Sequence, residues 1–176
     1  MHRREVIKDL FLVAGAFVLA PSCRPKDNKA AITLKHMRIT VDEEQLLSNI
    51  ASAIIPRSDT PDAGELGCHL FTLKMLDDCY EKETQESFVK GLNALDAYAA
   101  QKFNNPFIKC TLQQQQQILN DAEEGKTDQK IIAAFYEVMK DRTIQGYLTS
   151  KYVLTNINKY EFIPSVKYNG YAPVTL

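Results

Sequence analysis

Thr40-Val41-Asp42-Glu43-Glu44-Gln45-Leu46-Leu47-Ser48-Asn49-Ile50-Ala51-Ser52-Ala53-Ile54-Ile55-Pro56 begins with a hydroxyl residue followed three positions later by a glutamate, the pattern of a capping box. Behind that cap Leu46, Leu47, Ile50, Ala53 and Ile54 recur at helical spacing, and Pro56 closes the run. Start, buried stripe and stop of a helix are all present in one stretch, and the same grammar repeats downstream.

A second helix is expected over Glu65 to Cys79, with Leu66, Leu70, Leu73 and Leu76 as its stripe. A longer one is expected over Lys82 to Phe103, with Phe88, Leu92, Leu95 and Ala99 inward and Asn104-Asn105-Pro106 as its stop. Thr111-Leu112-Gln113-Gln114 is a second capping box, opening a helix through Leu119 whose glutamines, Gln113 to Gln117, read as one solvated face. Glu123-Glu124-Gly125-Lys126 is a loop. Thr127 then opens the last major helix, which uses Ile131, Ile132, Phe135, Val138 and Met139 and runs to about Gln145. The fold class is all-α, a helical domain of about five helices.

Two segments depart from this pattern inside the domain. Arg57-Ser58-Asp59-Thr60-Pro61-Asp62-Ala63-Gly64 is turn chemistry throughout, because Asp and Ser bond to nearby backbone, Pro fixes φ and Gly permits positive φ. From Tyr147 onward the chain crowds Tyr152, Tyr160, Phe162, Tyr168 and Tyr171 among Pro164, Gly170 and Pro173, which predicts an irregular, tyrosine-rich C-terminal tail lying across the domain or on a partner.

The N-terminus carries a different message. Met1 to Lys8 is basic, Leu10 to Ala20 is a short apolar run, and such a run is too short to span a bilayer, which takes about 20 apolar residues. The order is that of a secretory signal. Arg3-Arg4-Glu5-Val6-Ile7-Lys8 resembles the twin-arginine export motif, and Leu19-Ala20-Pro21-Ser22-Cys23 resembles a lipobox with cleavage before Cys23 and a lipid on its thiol. The alternatives are an ordinary Sec signal that happens to carry two arginines, and a plain secreted cysteine. The expected organisation is a signal peptide at 1–22, a polar tether at 23–39 and a helical domain at 40–176.

Removing the signal leaves roughly 150 residues, the usual size of one domain with one core. Of the 21 basic and 22 acidic side chains, Arg3, Arg4, Lys8, Glu5 and Asp9 leave with the signal, so the mature chain is close to neutral. No long basic stripe argues for nucleic acid as a partner. With Cys23 lipidated, Cys68, Cys79 and Cys110 remain, an odd number. Cys68 and Cys79, eleven residues apart, would lie about 16 Å apart on one continuous helix, too far for a disulfide unless the chain turns between them. Cys110 is then a candidate for an intramolecular or an intermolecular bond.

Catalytic sets are sparse. The seven glycines stand singly, so no phosphate-cradling loop exists, and no His-x-x-x-His or Cys-x-x-Cys offers metal or haem ligands. Cys68-His69 is the one pair with nucleophile chemistry, but neighbours on a helix point about 100° apart. Asp77-Asp78 would suit a cation only with further oxygen ligands, and otherwise reads as a solvated acidic helix end.

Ala53-Ile54-Ile55-Pro56-Arg57-Ser58-Asp59-Thr60-Pro61-Asp62-Ala63-Gly64 resembles the signature of the gluconate 2-dehydrogenase subunit 3 family, an Ile-Ile-Pro followed by a short Asp-Thr-Pro turn. The similarity continues through Gly67, Phe71, Leu76 to Tyr80, Phe88, Gly91 to Asp96, Phe135-Tyr136, Gly146 to Ser150, Tyr160 to Pro164 and Tyr168 to Gly170. Asp62, Lys151 and Tyr171 depart from the family pattern, the last standing where a cysteine is usual.

The resemblance implies a small exported subunit that holds no cofactor and no catalytic residues of its own. Its implied partner is a large FAD-dependent dehydrogenase of the glucose–methanol–choline type acting on a sugar, sugar acid or alcohol, with a cytochrome c subunit and its haem taking the electrons. It further implies that this chain supplies the export signal for that flavoprotein. Arg3 and Arg4 are expected to serve export and Cys23 anchorage in a bacterial cell envelope, on the periplasmic side or at the outer membrane. Pro56, Asp59, Thr60, Pro61, Tyr147, Tyr160 and Tyr168 are expected to meet the partner. The rival reading is a stand-alone envelope lipoprotein acting as a binding or scaffolding module.

Overall fold

A computed structural model of the chain describes residues 32–127 and 130–160, and these form five α-helices with no strand among them. The signal segment with Arg3 and Arg4, Cys23 and the tail from Glu161 with Tyr168 lie outside the described residues. Helix α1 spans Val41–Ile54 and is capped as its sequence predicts. Thr40 Oγ1 accepts from the Glu43 N–H at 3.2 Å, and the Glu43 carboxylate accepts the Thr40 N–H at 2.9 Å. Such caps stabilise by about 1 kcal/mol, and Asp42, Glu43 and Glu44 add negative charge where the helix dipole is positive. At the other end Ile55 is extended (φ −125°), as the ring of the following Pro56 requires.

Helix α2 covers Cys68–Cys79, three residues shorter at its start than its leucine spacing predicts. Gly67 adopts a left-handed φ of 69°, which interrupts helical geometry, and residues 63–67 form a separate turn closed by Cys68 N–H to Ala63 O at 2.9 Å. Its buried face is accordingly Cys68, His69, Thr72, Leu73, Leu76 and Asp77, while Leu66 and Leu70 are half-buried at the margin.

Helix α3, Lys82–Phe103, matches its predicted bounds and buries Phe88, Leu92, Leu95 and Ala99. Asn104 ends it in the left-handed region (φ 54°), ahead of Pro106. A single 3-10 turn at Phe107–Lys109 follows, with Phe107 fully buried and its N–H held by Asp96 Oδ1 at 2.7 Å.

Helix α4, Leu112–Glu123, has the capping box of Thr111 and Gln114 and continues past Leu119 through the first residue of the expected loop. Its glutamines do not share one solvated face. Gln115 is buried and donates from Nε2 to the Phe107 carbonyl at 3.0 Å, because residues 115, 118, 119 and 122 lie on one side of a helix.

Helix α5, Lys130–Leu148, is the central element and packs against each of the other four. It buries Ile132, Phe135, Tyr136, Met139 and Thr143 and runs beyond its predicted end at Gln145. Phe88 and Phe135 stack with ring centroids 4.7 Å apart in a tilted arrangement. The approach of α3 to α5 is closest at Gly91, where an added Cβ would meet Phe135 Cβ and lie 2.8 Å from the Ile131 carbonyl oxygen. Directly after α5 the described residues depart from the expected irregular tail: Lys151 and Tyr152 are helical and Val153–Ile157 forms a π-helical turn with Val153 buried. No proline occurs between Leu148 and Pro164, so no proline ring interrupts these turns.

The packed domain also begins earlier than residue 40. Met37 is buried, and Ile32, Leu34 and Ile39 lie half-buried against the core. The segment that composition marks as tether is held there by a side chain from α2, described next.

Candidate functional site

Asp77 sits at the last turn of α2 with its side chain completely covered, and it accepts three backbone N–H groups from consecutive residues of the N-terminal segment. Lys35 N donates to Oδ2 at 2.7 Å, and His36 N and Met37 N donate to Oδ1 at 2.7 and 3.1 Å. Burial pushes the Asp77 carboxyl up, but these three donors, with His36 beside them, outweigh it and hold the group below the ordinary carboxylate value. The neighbouring Gln85 donates from Nε2 to the carbonyls of Leu76 and Tyr80, both at 3.0 Å, so the end of α2 is satisfied from two sides. Asp78 alone fits the solvated helix end expected of the pair, forming an i,i+4 ion pair with Lys74 at 3.0 Å.

At the opposite end of α2 lies the loop of residues 55–67. Asp62 organises it. Its Oδ1 accepts the Ser52 hydroxyl from α1 at 2.7 Å and the Glu65 N–H at 2.9 Å. Burial raises the Asp62 carboxyl, and the Ser52 hydroxyl together with backbone N–H groups of Glu65 and Gly64 brings it below its ordinary value. The Ala63 N–H bonds to the Ile55 carbonyl at 3.1 Å, and Arg57 pairs with Glu65 across the exposed rim. From α5, the Tyr147 hydroxyl hydrogen-bonds to Thr60 Oγ1 at 2.8 Å and to the Pro61 carbonyl at 3.2 Å. Four of the residues expected to meet a partner, Pro56, Thr60, Pro61 and Tyr147, are thus gathered at one place, with Asp59 exposed at the loop tip.

A Tyr147→Phe variant removes both bonds while leaving the ring in place. It is expected to cost about 1 kcal/mol of stability and to speed amide exchange at Ser58 and Ala63, measured by hydrogen exchange. Unchanged exchange at these amides would show that the loop holds its shape without α5.

Ile144 and Leu148, one helical turn apart on α5, are 38% and 57% exposed, so the helix that reaches the loop also presents apolar surface. Tyr160, another expected contact, is 58% exposed beyond the π-helical turn. Tyr168 falls outside the described residues.

The thiols of the described cysteines make no hydrogen bond to this loop, which Cys68 meets only through its backbone N–H. Cys68 and Cys79 occupy the two ends of α2, so the chain does not turn between them, and Cys68, Cys79 and Cys110 are all free thiols. Burial, reinforced by Asp62, pushes the Cys68 thiol up to about 11, and burial pushes the neighbouring His69 imidazole down despite the field of Glu44. A thiol kept protonated beside an imidazole kept neutral is the reverse of an activated nucleophile. Among the described residues no three His, Cys, Asp or Glu side chains gather as a metal site, and no helix is long and apolar enough to cross a membrane.

Sequence reasoning missed Asp77 and Asp62 as organisers. For Asp77 a signal existed, because positions 73, 76 and 77 share one helical face, which places its carboxylate on the buried side.

A family model described as gluconate 2-dehydrogenase subunit 3 matches residues 41–164, a span that takes in all five helices and the 55–67 loop. No curated protein and no solved structure matches the chain.

Proposed function

Since the chain belongs to the gluconate 2-dehydrogenase subunit 3 family, we propose that it serves as the non-catalytic small subunit of a membrane-associated, FAD-dependent dehydrogenase that oxidises a sugar, a sugar acid or an alcohol. In this reading the flavin belongs to a large partner of the glucose–methanol–choline type, and a cytochrome c subunit with its haem receives the electrons. Arg3 and Arg4 direct twin-arginine export of the folded pair, and a lipid on Cys23 holds it at the envelope membrane.

The observation that carries the reading is the family match, which runs through the whole helical domain and its signature loop. Two features of the site support it. The loop is tied by hydrogen bonds of Ser52, Asp62 and Tyr147, yet leaves Arg57, Ser58 and Asp59 exposed, the combination expected of a recognition element. The Cys68-His69 pair, the one set with nucleophile chemistry, is held in protonation states that disfavour it.

Co-expression with a flavoprotein that lacks its own export signal, followed by purification through a tag on this chain, tests the proposal. A flavin-containing complex of defined stoichiometry is expected, and replacing Arg3 and Arg4 by lysines should leave both proteins in the cytoplasm. If the mature chain runs as a lone monomer with every candidate flavoprotein of its host, the subunit reading fails and the stand-alone lipoprotein takes its place.

A further inference from the structure

The N-terminal segment pinned by Asp77 forms one wall of a groove of about 330 Å³ whose other wall is the first turns of α3. Its chemistry is divided. Arg38, Lys82 and Lys90 bring three basic side chains, His36 adds an imidazole, and Glu86 is the single acid in the lining, 3.8 Å from Lys82. Beneath them the floor is apolar, made by buried Met37 and half-buried Val89. Gln85 also lines the groove, but its amide is committed to the carbonyls at the end of α2.

We propose that this groove seats the phosphate of an anionic phospholipid, with the glycerol and the first acyl carbons lying on Met37 and Val89. Cations above an apolar floor match that amphiphile, whereas an acidic peptide would use the cations and leave the floor without a partner. Position selects the same occupant. The groove wall is residues 36–38, and the described chain begins at Ile32, nine positions after Cys23. At no more than about 3.6 Å per residue, that spacing keeps the Ile32 backbone within about 32 Å of that of Cys23. This proposal rests on the reading of Cys23 as the anchor, and it turns the groove towards the membrane surface on which that anchor lies.

The test uses the mature chain, beginning at residue 23 and carrying Cys23→Ser, so that no acyl chain masks the groove. Sedimentation is measured with phosphatidylcholine vesicles, with and without phosphatidylglycerol. Binding is expected only to the anionic vesicles, to fall with added salt, and to weaken at least tenfold in the Arg38→Glu, Lys82→Glu, Lys90→Glu triple variant, since each basic residue near such a surface contributes roughly fivefold. Glu86→Lys, a charge reversal on an exposed helix face that removes the one acid of the lining, is expected to tighten binding, which keeps the test decisive if the triple variant fails to fold. Equal binding to neutral vesicles, no binding to anionic ones, or indifference to both sets of substitutions would overturn the proposal. The mass of Cys23 in the wild-type chain is read separately, so loss of the anchor reading and loss of the groove reading are distinct results.

Discussion

Gly91→Val is expected to prevent the domain from folding, and Gly91→Ala to lower its melting temperature by several degrees in a thermal unfolding scan. Two effects oppose each other at this position. Replacing glycine inside a helix by alanine improves helix propensity by about 1 kcal/mol. Against it, a new Cβ would run into Phe135 Cβ and come to 2.8 Å from the Ile131 carbonyl oxygen, both on α5. The obstacle is a packed helix backbone, so relief requires moving α3 off α5 and loosening the Phe88–Phe135 contact. Overpacking of this kind costs about 1–3 kcal/mol, occasionally more, so the steric effect wins for alanine and grows for valine. An alanine variant as stable as the parent would show that the two helices can separate at little expense.

Asp77→Ala is expected to lose about 3 kcal/mol in urea unfolding, and Asp77→Asn about half of that. Alanine strands three N–H donors, of which the Met37 bond is fully buried and cannot be rescued by water. Asparagine keeps one acceptor oxygen but turns an amide towards a donor. Both variants should also speed exchange of the Lys35, His36 and Met37 amides. The pH dependence follows from the lowered carboxyl. In the unfolded chain Asp77 titrates at about 3.9. Its contribution is therefore complete above that value and is lost as pH falls through the lower folded value. Asp77→Asn should flatten this part of the acid unfolding profile. A variant with unchanged stability at neutral pH and an unchanged acid limb would remove Asp77 from its assigned role.

What could be read without coordinates was local. Thr40 with Glu43 and Thr111 with Gln114 satisfy orphan N–H groups within one turn, so their helices start where the sequence says. Pro56 and Asn104 end helices for reasons contained in their own backbone. What could not be read depended on a distant partner. Gly67 could have sat inside a helix at modest cost, and its left-handed φ follows from a turn built around Asp62 and Ser52. Gln115 looked like its four neighbours until Phe107 supplied a buried carbonyl. Residues 32–37 have no helical period because their ordering comes from one carboxylate about forty positions away. For the signature loop, sequence showed turn chemistry and a family pattern, but not that Tyr147 would close it from the far end of the chain.

The Asp77 contact also defines a load path. Three donors on successive residues converge on a single carboxylate, so tension arriving along the chain from its N-terminal side strains all three together instead of peeling them one at a time. That tension passes into the end of α2, which Gln85 braces from α3, before it reaches the capping box of α1. A protein tugged through its leading segment would yield first at this shared Asp77 contact, with its helices still folded behind it.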